Sequence, residues 1–159
     1  MKNTIEIKDL KIEKALEKDW TLILALLEEV GLTFWFTGSE NYKDYYIVRN
    51  PERTKINCCF AITKDNDTGI LKSVAVSKDL QSKGIGKYLV SKVPEYCKKL
   101  GIKKIYAATD IPEFWRKTFL TQINYNEIKD PFFLNYLSPY INKIPDYFKI
   151  ANFFTSEIK

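Results

Sequence analysis

The stretch that decides the fold is LKSVAVSKDLQSKGIGKYLVSKVPEYCKKL, residues 71–100. Its first six residues alternate in polarity and predict a β-strand, and the glycine-containing segment after them predicts a loop. Apolar residues then recur at helical spacing, at Tyr88, Leu89, Val93, Tyr96, Cys97 and Leu100. Gly101 comes next, at the position where a helix commonly ends. The sequence therefore predicts a strand, a loop and a helix in direct succession.

A glycine-containing loop between a strand and a helix is suited to binding an anion. Its backbone N–H groups converge at the positive end of the helix dipole, where phosphate is the usual occupant. Gly84 and Gly86 lack a Cβ atom and allow a positive φ and the close approach of a ligand. Lys83 and Lys87 add positive charge. We expect a phosphate-bearing ligand here; the alternative is a surface turn in front of a basic helix.

Two common phosphate-loop motifs do not fit this segment. The dinucleotide fingerprint needs a third glycine, and the Walker loop needs a Gly-Lys-Ser/Thr ending. The segment instead resembles the Gln/Arg-x-x-Gly-x-Gly/Ala signature of the GNAT superfamily of acetyl-CoA-dependent N-acyltransferases, matched by Gln81, Gly84 and Gly86. The strand before it, residues 71–76, resembles the central strand of that family.

Composition is that of a globular protein, with 45% hydrophobic and 28% charged residues in 159. We expect one domain, residues 1–159, with residues 1–9 as an N-terminal extension. No apolar run is long enough to span a bilayer, and no secretory signal is visible at the start. Three cysteines, Cys58, Cys59 and Cys97, have no metal-binding spacing and indicate reduced thiols. The expectation is a cytoplasmic protein without a metal site and without a membrane partner.

The basic composition leaves nucleic-acid binding as an alternative. The sequence pI is about 8.9 and the net charge is +5. However, between Gln81 and Lys104 seven lysines stand against one glutamate, so the positive charge is concentrated beside the loop. Aromatic residues are not interleaved with these lysines as they are in stacking platforms. We therefore expect a polyphosphate ligand and no nucleic-acid partner.

Local signals place the other elements along the chain. Strands are predicted at residues 10–15, 45–49, 56–62 and 104–108, with a sixth strand near 125–129 and a last strand within 147–155. A helix is predicted from the N-cap Asp19 to Gly31, and another from Pro131, with an interruption at Pro139. Pro94 lies inside the helix after the loop and predicts a kink or an early break.

The GNAT resemblance implies a fold and a ligand. The fold is α+β, a mixed and mostly antiparallel sheet of six to seven strands with helices on both faces and a splayed parallel pair at its centre. Acetyl-CoA is the implied co-substrate, with its pantetheine arm against the main chain at Val74 and Val76. The ligand-binding residues that the resemblance implies are Val74, Ala75, Val76, Gln81, Ser82, Lys83, Gly84, Ile85, Gly86, Lys87, Thr109, Phe114 and Trp115.

The segment 109–117 predicts a short helix with Asp110 as its N-cap and Pro112 in its first turn. It resembles the GNAT stretch in which two aromatic residues lie beside the thioester. Many members have a Tyr as the second aromatic, where its hydroxyl protonates the departing thiolate, whereas this chain has Trp115. Tyr125 is the substitute candidate for that acid. Because the chain has no histidine, Glu113 is a candidate base, with Asp110 more naturally a cap.

Three features leave alternatives open. Glu28 and Glu29 end the first helix and are either solvated or part of an amine site. The aromatic residues of segment 32–44 either line an acceptor pocket or belong to the core. The aromatic residues of the last thirty positions cover the sheet or form a homodimer contact.

The function implied by the resemblance is transfer of the acetyl group of acetyl-CoA to a primary amine of a small molecule or amino acid by direct attack. Within the family, the order of the opening elements and Thr109 resemble the amino-acid acetyltransferase branch. The alternatives are a non-catalytic CoA-binding sensor on the same fold and an acetyltransferase of protein N-termini or lysines.

Overall fold

Seven strands form one sheet in the computed structural model, which describes residues 6–159. Residues 1–5 of the expected N-terminal extension lie outside that range. The strands are β1 (Glu13–Lys14), β2 (Tyr45–Arg49), β3 (Ile56–Asp65), β4 (Thr68–Val76), β5 (Lys104–Thr109), β6 (Thr121–Ile123) and β7 (Asn152–Glu157). Their order in the sheet is β1-β2-β3-β4-β5-β7-β6. The mixed, mostly antiparallel sheet predicted from the sequence is confirmed.

Five α-helices accompany the sheet within the described part of the chain. They are α1 (Trp20–Glu29), α2 (Ile85–Lys99), α3 (Pro112–Trp115), α4 (Pro131–Lys143) and α5 (Tyr147–Ile150). Short 3₁₀ turns lie between them, including Leu32–Trp35 and Lys78–Leu80. No helix among residues 6–159 is long and apolar enough to cross a membrane.

The contacts of the chain group into two compact units. The first contains the residues up to Ala61 together with Ser73–Leu89, and the second contains Ile62–Lys72 together with Val90–Lys159. Strands β3 and β4 and helix α2 each begin in one unit and end in the other. The loop predicted to bind a ligand lies wholly in the first unit, and the segment that carries Phe114 and Trp115 lies wholly in the second.

The parallel pair at the centre of the sheet is short. Strand β4 pairs with β5 from Thr68 to Ile70, opposite Lys104 to Tyr106. In the described structure these are three residue pairs, and β4 continues six residues further, to Val76. Strand β7 pairs along the whole of β5 on its other side. The main chain of β4 from Leu71 onward thus runs past the end of its ladder with β5.

The core of the first unit surrounds α1 and a buried ion pair. Ile23, Leu26 and Leu27 of α1 are buried against β2 and β3. Asp19 is the N-cap residue of α1, as predicted, but its side chain makes no capping hydrogen bond. Its carboxylate instead accepts two hydrogen bonds from Arg49, at 2.6 and 2.7 Å, and one from the N–H of Leu16.

The core of the second unit is built from aromatic rings. Tyr106 of β5 stacks on Phe133 of α4 with ring centroids 4.7 Å apart, and Phe133 also contacts Phe153 of β7. Helix α4 begins at Pro131 as predicted, and the carboxylate of its N-cap Asp130 accepts from the N–H groups of the first turn. The buried C-terminal aromatic residues belong to this core, whereas Phe148 is 51% exposed; the buried ones are Phe133, Tyr140, Tyr147, Phe153 and Phe154.

Helix α2 runs through Pro94, so the predicted early break is wrong. Proline removes one backbone donor, but Val90, Val93 and Cys97 of the same helix are fully buried and hold it in place. The helix ends at Lys99, and the predicted Gly101 follows it with φ 74°, while Ile102 N–H donates to the Cys97 carbonyl at 2.9 Å. Together with the bond from Gly101 N–H to the Lys98 carbonyl, this is a Schellman motif. Pro139 likewise lies inside α4 and does not interrupt it.

Several boundaries differ from the prediction because their partners are distant in sequence. The predicted strand 10–15 is reduced to β1, since two residues pair with β2. The predicted strand 125–129 is wrong: residues 125–127 form a 3₁₀ turn, and β6 lies at 121–123 because it pairs with β7 there. The last strand begins at Asn152, after helix α5. Strand β4 begins at Thr68, three residues before the predicted start at Leu71, because Asn66, at φ 51°, makes a tight turn.

Candidate active site

The predicted anion loop joins β4 to α2 and contains two residues with left-handed backbone. After the turn Lys78–Leu80, Ser82 has φ 65° and Gly84 has φ 82°. Helix α2 then begins at Ile85, so Gly86 lies in its first turn. The motif predicts only that both glycines allow a positive φ. The structure uses it at Gly84, and Ser82 adopts the second left-handed conformation without being glycine.

The loop has the geometry and charge that an anion needs. Residues 81–84 are exposed, as is Lys87, so their backbone and the two lysines face solvent. Below them, Ile85 and Leu89 are buried and fix the first turn of α2. A 15-residue helix carries about half a positive charge at its N-terminus from unpaired N–H groups. The residues present therefore fit a phosphate group.

Backbone and side-chain hydrogen bonds hold the start of the loop. Ser77 N–H donates to the Asn57 carbonyl at 2.8 Å, and Lys78 N–H donates to the Glu29 carboxylate at 2.8 Å. The Gln81 side chain donates to the Val76 carbonyl at 2.9 Å. Gln81, the first residue of the motif, thus closes the turn with its own side chain. Glu29, which on the sequence alone is either solvated or amine-binding, has a backbone partner in the structure.

Asp79 is the acidic side chain inside this basic loop, and two neighbours engage it. The Ser77 hydroxyl donates to its carboxylate, and Lys55 lies 3.6 Å away. The hydrogen bond from Ser77, with a smaller contribution from Lys55, lowers the pKa of Asp79. The carboxylate is thus ionised and paired, so its charge is offset locally.

The strand before the loop has one irregular residue that the sequence did not indicate. Ser73 in β4 has φ 55°, a left-handed conformation inside a strand. Its hydroxyl lies 3.0 Å from the Tyr45 hydroxyl, and its carbonyl lies 3.4 Å from the Cys59 sulfur. The next residues are Val74, Ala75 and Val76, of which Ala75 is buried. No local pattern in LKSVAV distinguishes this serine.

The aromatic segment of the second unit differs in part from expectation. Helix α3 covers four residues rather than the whole of 109–117. Asp110 is exposed and is not the N-cap; the residue before the helix is Ile111, whose N–H bonds the Thr109 hydroxyl at 3.0 Å. A proline in the first position of a helix has a φ already suited to the helix, and it has no N–H group that a cap would have to satisfy. Pro112 is that first residue, as predicted.

Phe114 and Trp115 lie in different surroundings. Their rings meet edge to face with centroids 5.3 Å apart. Phe114 is half-buried, whereas Trp115 is buried and its ring lies 6.5 Å from that of Phe154. Trp115 is therefore part of the core of the second unit, and the ring of Phe114 is more accessible than that of Trp115.

The two candidate catalytic side chains are not adjacent to each other in the described contacts. Glu113 is exposed and forms an ion pair with Arg116. Tyr125 packs its ring against Phe148, at 4.7 Å, and against Phe153, at 5.6 Å. Neither arrangement assigns a proton-transfer role, and both residues stay predictions.

A shallow groove of about 290 Å³ is a separate feature of the first unit. Its lining residues are Glu6, Asp9, Leu10, Lys11, Val48, Arg49, Pro51 and Asn57. None of these eight was predicted to bind a ligand, and the Arg49 charge is already matched by Asp19 at 2.6 Å and Glu13 at 3.3 Å. Within residues 6–159, no group of three or more His, Cys, Asp or Glu side chains is placed to hold a metal ion.

The sequence matches one family of known proteins over most of its length. The model of the acetyltransferase (GNAT) family matches residues 18–119, which is more than half of the chain. The chain belongs to the GNAT acetyltransferase family. The resemblance found in the loop motif is thereby confirmed. No curated protein sequence matches the chain.

Solved GNAT structures share the fold at low identity. N-acetylglutamate synthase from Neisseria gonorrhoeae, complexed with coenzyme A and N-acetyl-glutamate, aligns over 94% of this chain with a TM-score of 0.74 and 16% identity. This chain covers only 35% of that protein. Rv2747 from Mycobacterium tuberculosis, in complex with CoA and a second ligand, has a TM-score of 0.70 at 15% identity, with 94% and 99% of the two chains covered.

A third structure, an acetyltransferase of the GNAT family from Staphylococcus aureus Mu50, aligns with a TM-score of 0.66 at 15% identity. The alignment covers 94% of this chain and 99% of the S. aureus chain. At these identities the likeness is one of fold.

Proposed function

We propose that this GNAT protein transfers the acetyl group of acetyl-CoA to a primary amine of a small molecule or amino acid. The observation that carries the proposal is the loop between β4 and α2, with left-handed Ser82 and Gly84 in front of a long helix. The CoA complexes of the N. gonorrhoeae and M. tuberculosis proteins support it, since both share the fold.

The chain supplies binding and orientation at two places. Backbone N–H groups of residues 82–87, with Lys83 and Lys87, bind the diphosphate of acetyl-CoA. The main chain of Val74–Val76, beyond the end of the β4–β5 ladder, pairs with the amides of the pantetheine arm. Buried backbone groups need such partners. A strand N–H in this stretch polarises the acetyl carbonyl, as an oxyanion donor does.

When bound, acetyl-CoA supplies a thioester that the amine attacks directly. The amine nitrogen forms a bond to the carbonyl carbon, the carbon–sulfur bond breaks, and the thiolate of CoA leaves and is protonated. An alkyl ammonium with a pKa near ~10 must first lose a proton to a base or to water. Glu113 and Tyr125 are the proposed proton-transfer groups. Cys97 is unsuited to a covalent route, because burial raises the pKa of its thiol to about 12.

Two measurements test the proposal. Acetyl-CoA at millimolar concentration should raise the melting temperature of the wild type, and the double variant Gly84→Asp, Gly86→Asp should abolish that rise. Gly101→Asp is the control, because Gly101 also has a left-handed φ, 74°, with open space around its Cβ position. No rise with the wild type would contradict the proposal.

Release of free CoA thiol over a panel of amines identifies the acceptor. Release with small amines or amino acids is the expected result. Release only with peptides that carry a free N-terminus or lysine would assign a protein acceptor. Stabilisation by acetyl-CoA without thiol release from any amine would favour the non-catalytic sensor, an alternative motivated by Trp115, which lacks the hydroxyl of the usual acid. Glu113→Gln and Tyr125→Phe should each lower the turnover number more than they change the KM for acetyl-CoA.

A further inference from the structure

Ser73 lies in β4 just beyond the end of the parallel ladder. The last pair of that ladder joins Ile70 to Tyr106, and Ser73 comes three residues later with φ 55°. A non-glycine residue with left-handed backbone costs free energy, and it persists where the surrounding structure holds it. The residues next in the strand, Val74–Val76, are those proposed to pair with acetyl-CoA.

Two buried side chains from the first unit hold Ser73, one at its hydroxyl and the other at its carbonyl. The hydroxyl of Tyr45 in β2 lies 3.0 Å from the Ser73 hydroxyl, and the thiol of Cys59 in β3 donates to the Ser73 carbonyl at 3.4 Å. Both side chains are fully buried. Tyr45 is itself fixed by Trp20, whose ring meets it edge-on with centroids 5.5 Å apart. Burial in a close-packed core therefore limits the movement of both side chains.

We propose that Tyr45 and Cys59 are positioning residues that hold Ser73 in its left-handed conformation and so orient the strand that receives acetyl-CoA. A change of φ at one residue rotates the peptide units after it. The N–H and C=O groups of Val74–Val76 consequently point where the Ser73 conformation directs them. This inference rests on the proposed function, because it assigns those groups to the pantetheine arm.

Tyr45 acts through Ser73 and not as an acid or base in the reaction. Its side chain is fully buried. Burial raises the pKa of the Tyr45 hydroxyl well above its usual range, against the smaller opposing effect of the bond to Ser73. The hydroxyl therefore stays protonated at working pH and serves as a hydrogen-bonding group.

Tyr45→Phe removes one hydroxyl and keeps the buried ring. We expect kcat/KM with acetyl-CoA to fall about three- to tenfold, the factor that corresponds to one ordinary hydrogen bond. The dissociation constant of 3′-phosphoadenosine 5′-diphosphate, which has the diphosphate of CoA without the pantetheine arm, should be unchanged. Tyr46→Phe is the matched control, since it removes the hydroxyl of the neighbouring residue. Cys59→Ala should cause a smaller loss, because a thiol is a weak donor.

Ser73 variants separate conformation from chemistry. Ser73→Gly should keep near wild-type kcat/KM, because glycine adopts positive φ without support, and Tyr45→Phe should add little to it. Ser73→Ala should lose activity as Tyr45→Phe does. Equal loss in Ser73→Gly and Ser73→Ala would overturn the proposal, as would additive effects of Tyr45→Phe and Ser73→Gly. A wild type that neither binds nor turns over acetyl-CoA would instead refute the proposed function.

Discussion

Gly84→Ala tests whether the left-handed conformation of the loop matters for binding. A Cβ at this position would meet only Ile7 Cδ1, at an ordinary contact distance of 3.6 Å, so sterics add little. The cost is the backbone at φ 82°, about 1–2 kcal/mol for a non-glycine residue. Lower entropy of the unfolded chain returns about 0.4–1 kcal/mol. The net loss is at most about 1 kcal/mol, a fall in melting temperature of no more than about 2–4 °C, because the exposed loop of the free variant can relax part of this strain.

The effect on ligand binding should be larger and specific to this glycine. In the free variant the loop can relax away from the left-handed conformation, so binding of the diphosphate must restore it. A cost of about 1–2 kcal/mol raises the dissociation constant of acetyl-CoA about five- to thirtyfold. Gly101→Ala is the matched control, because Gly101 has φ 74°, no atom within 4 Å of its Cβ position, and a place at the other end of α2. Isothermal titration calorimetry and thermal melts of the two variants give both numbers.

The comparison has two results that would refute the reasoning. If Gly84→Ala binds acetyl-CoA as tightly as the wild type, the conformation of this loop does not determine binding. If Gly101→Ala weakens binding as much as Gly84→Ala, the effect comes from lost stability and not from the loop.

Three further predictions concern stability and are checked by urea unfolding. Asp19→Ala should cost about 3 kcal/mol, because it removes both short hydrogen bonds to the buried Arg49 side chain and leaves it only Glu13, at 3.3 Å. The hydrogen bond from Arg49 lowers the pKa of Asp19, so the pair's stabilisation is complete above the ordinary aspartate pKa and is lost as pH falls through the depressed value. Asp19→Asn should therefore flatten the loss of stability in acid, and an unchanged slope would contradict this. Asp130→Ala should cost about 1 kcal/mol, because it removes the side-chain cap of α4. Asp130→Asn should keep most of the stability that this cap supplies. Gly69→Ala should cost about 1 kcal/mol, since its Cβ would lie 2.8 Å from Ile102 Cδ1. Ile102→Val removes that Cδ1 atom and should restore the stability lost in Gly69→Ala. If the costs of the two substitutions simply add in the double variant, this contact is not the cause.

The elements that the sequence predicts well are those with local causes. Strand β2 matches the predicted residues 45–49, α1 ends before Gly31, and α2 ends before the left-handed Gly101. Apolar spacing and a glycine at the end of a helix act within a few residues, so both can be recognised from the sequence alone. The loop motif around Gly84 is equally local, and the family model confirms the family that it suggested.

The features that the sequence did not predict depend on partners far along the chain. Asp19 occupies the predicted N-cap position, but its carboxylate binds Arg49, thirty residues away. Asp110 is not the cap of the other helix, which begins at Pro112 after Ile111. Strand β6 lies where β7 offers a partner, which no pattern in residues 121–129 reveals. Ser73 is held by Tyr45 and Cys59 from two other strands. Its left-handed backbone is therefore a tertiary effect.

A crystal structure with acetyl-CoA tests most directly whether the β4–α2 loop and the end of β4 form the acyl-CoA site. We predict the diphosphate on the backbone N–H groups of residues 82–87 and the pantetheine arm along the main chain of Val74–Val76. Acetyl-CoA bound elsewhere, with the loop making no contact to phosphate, would contradict the proposed function.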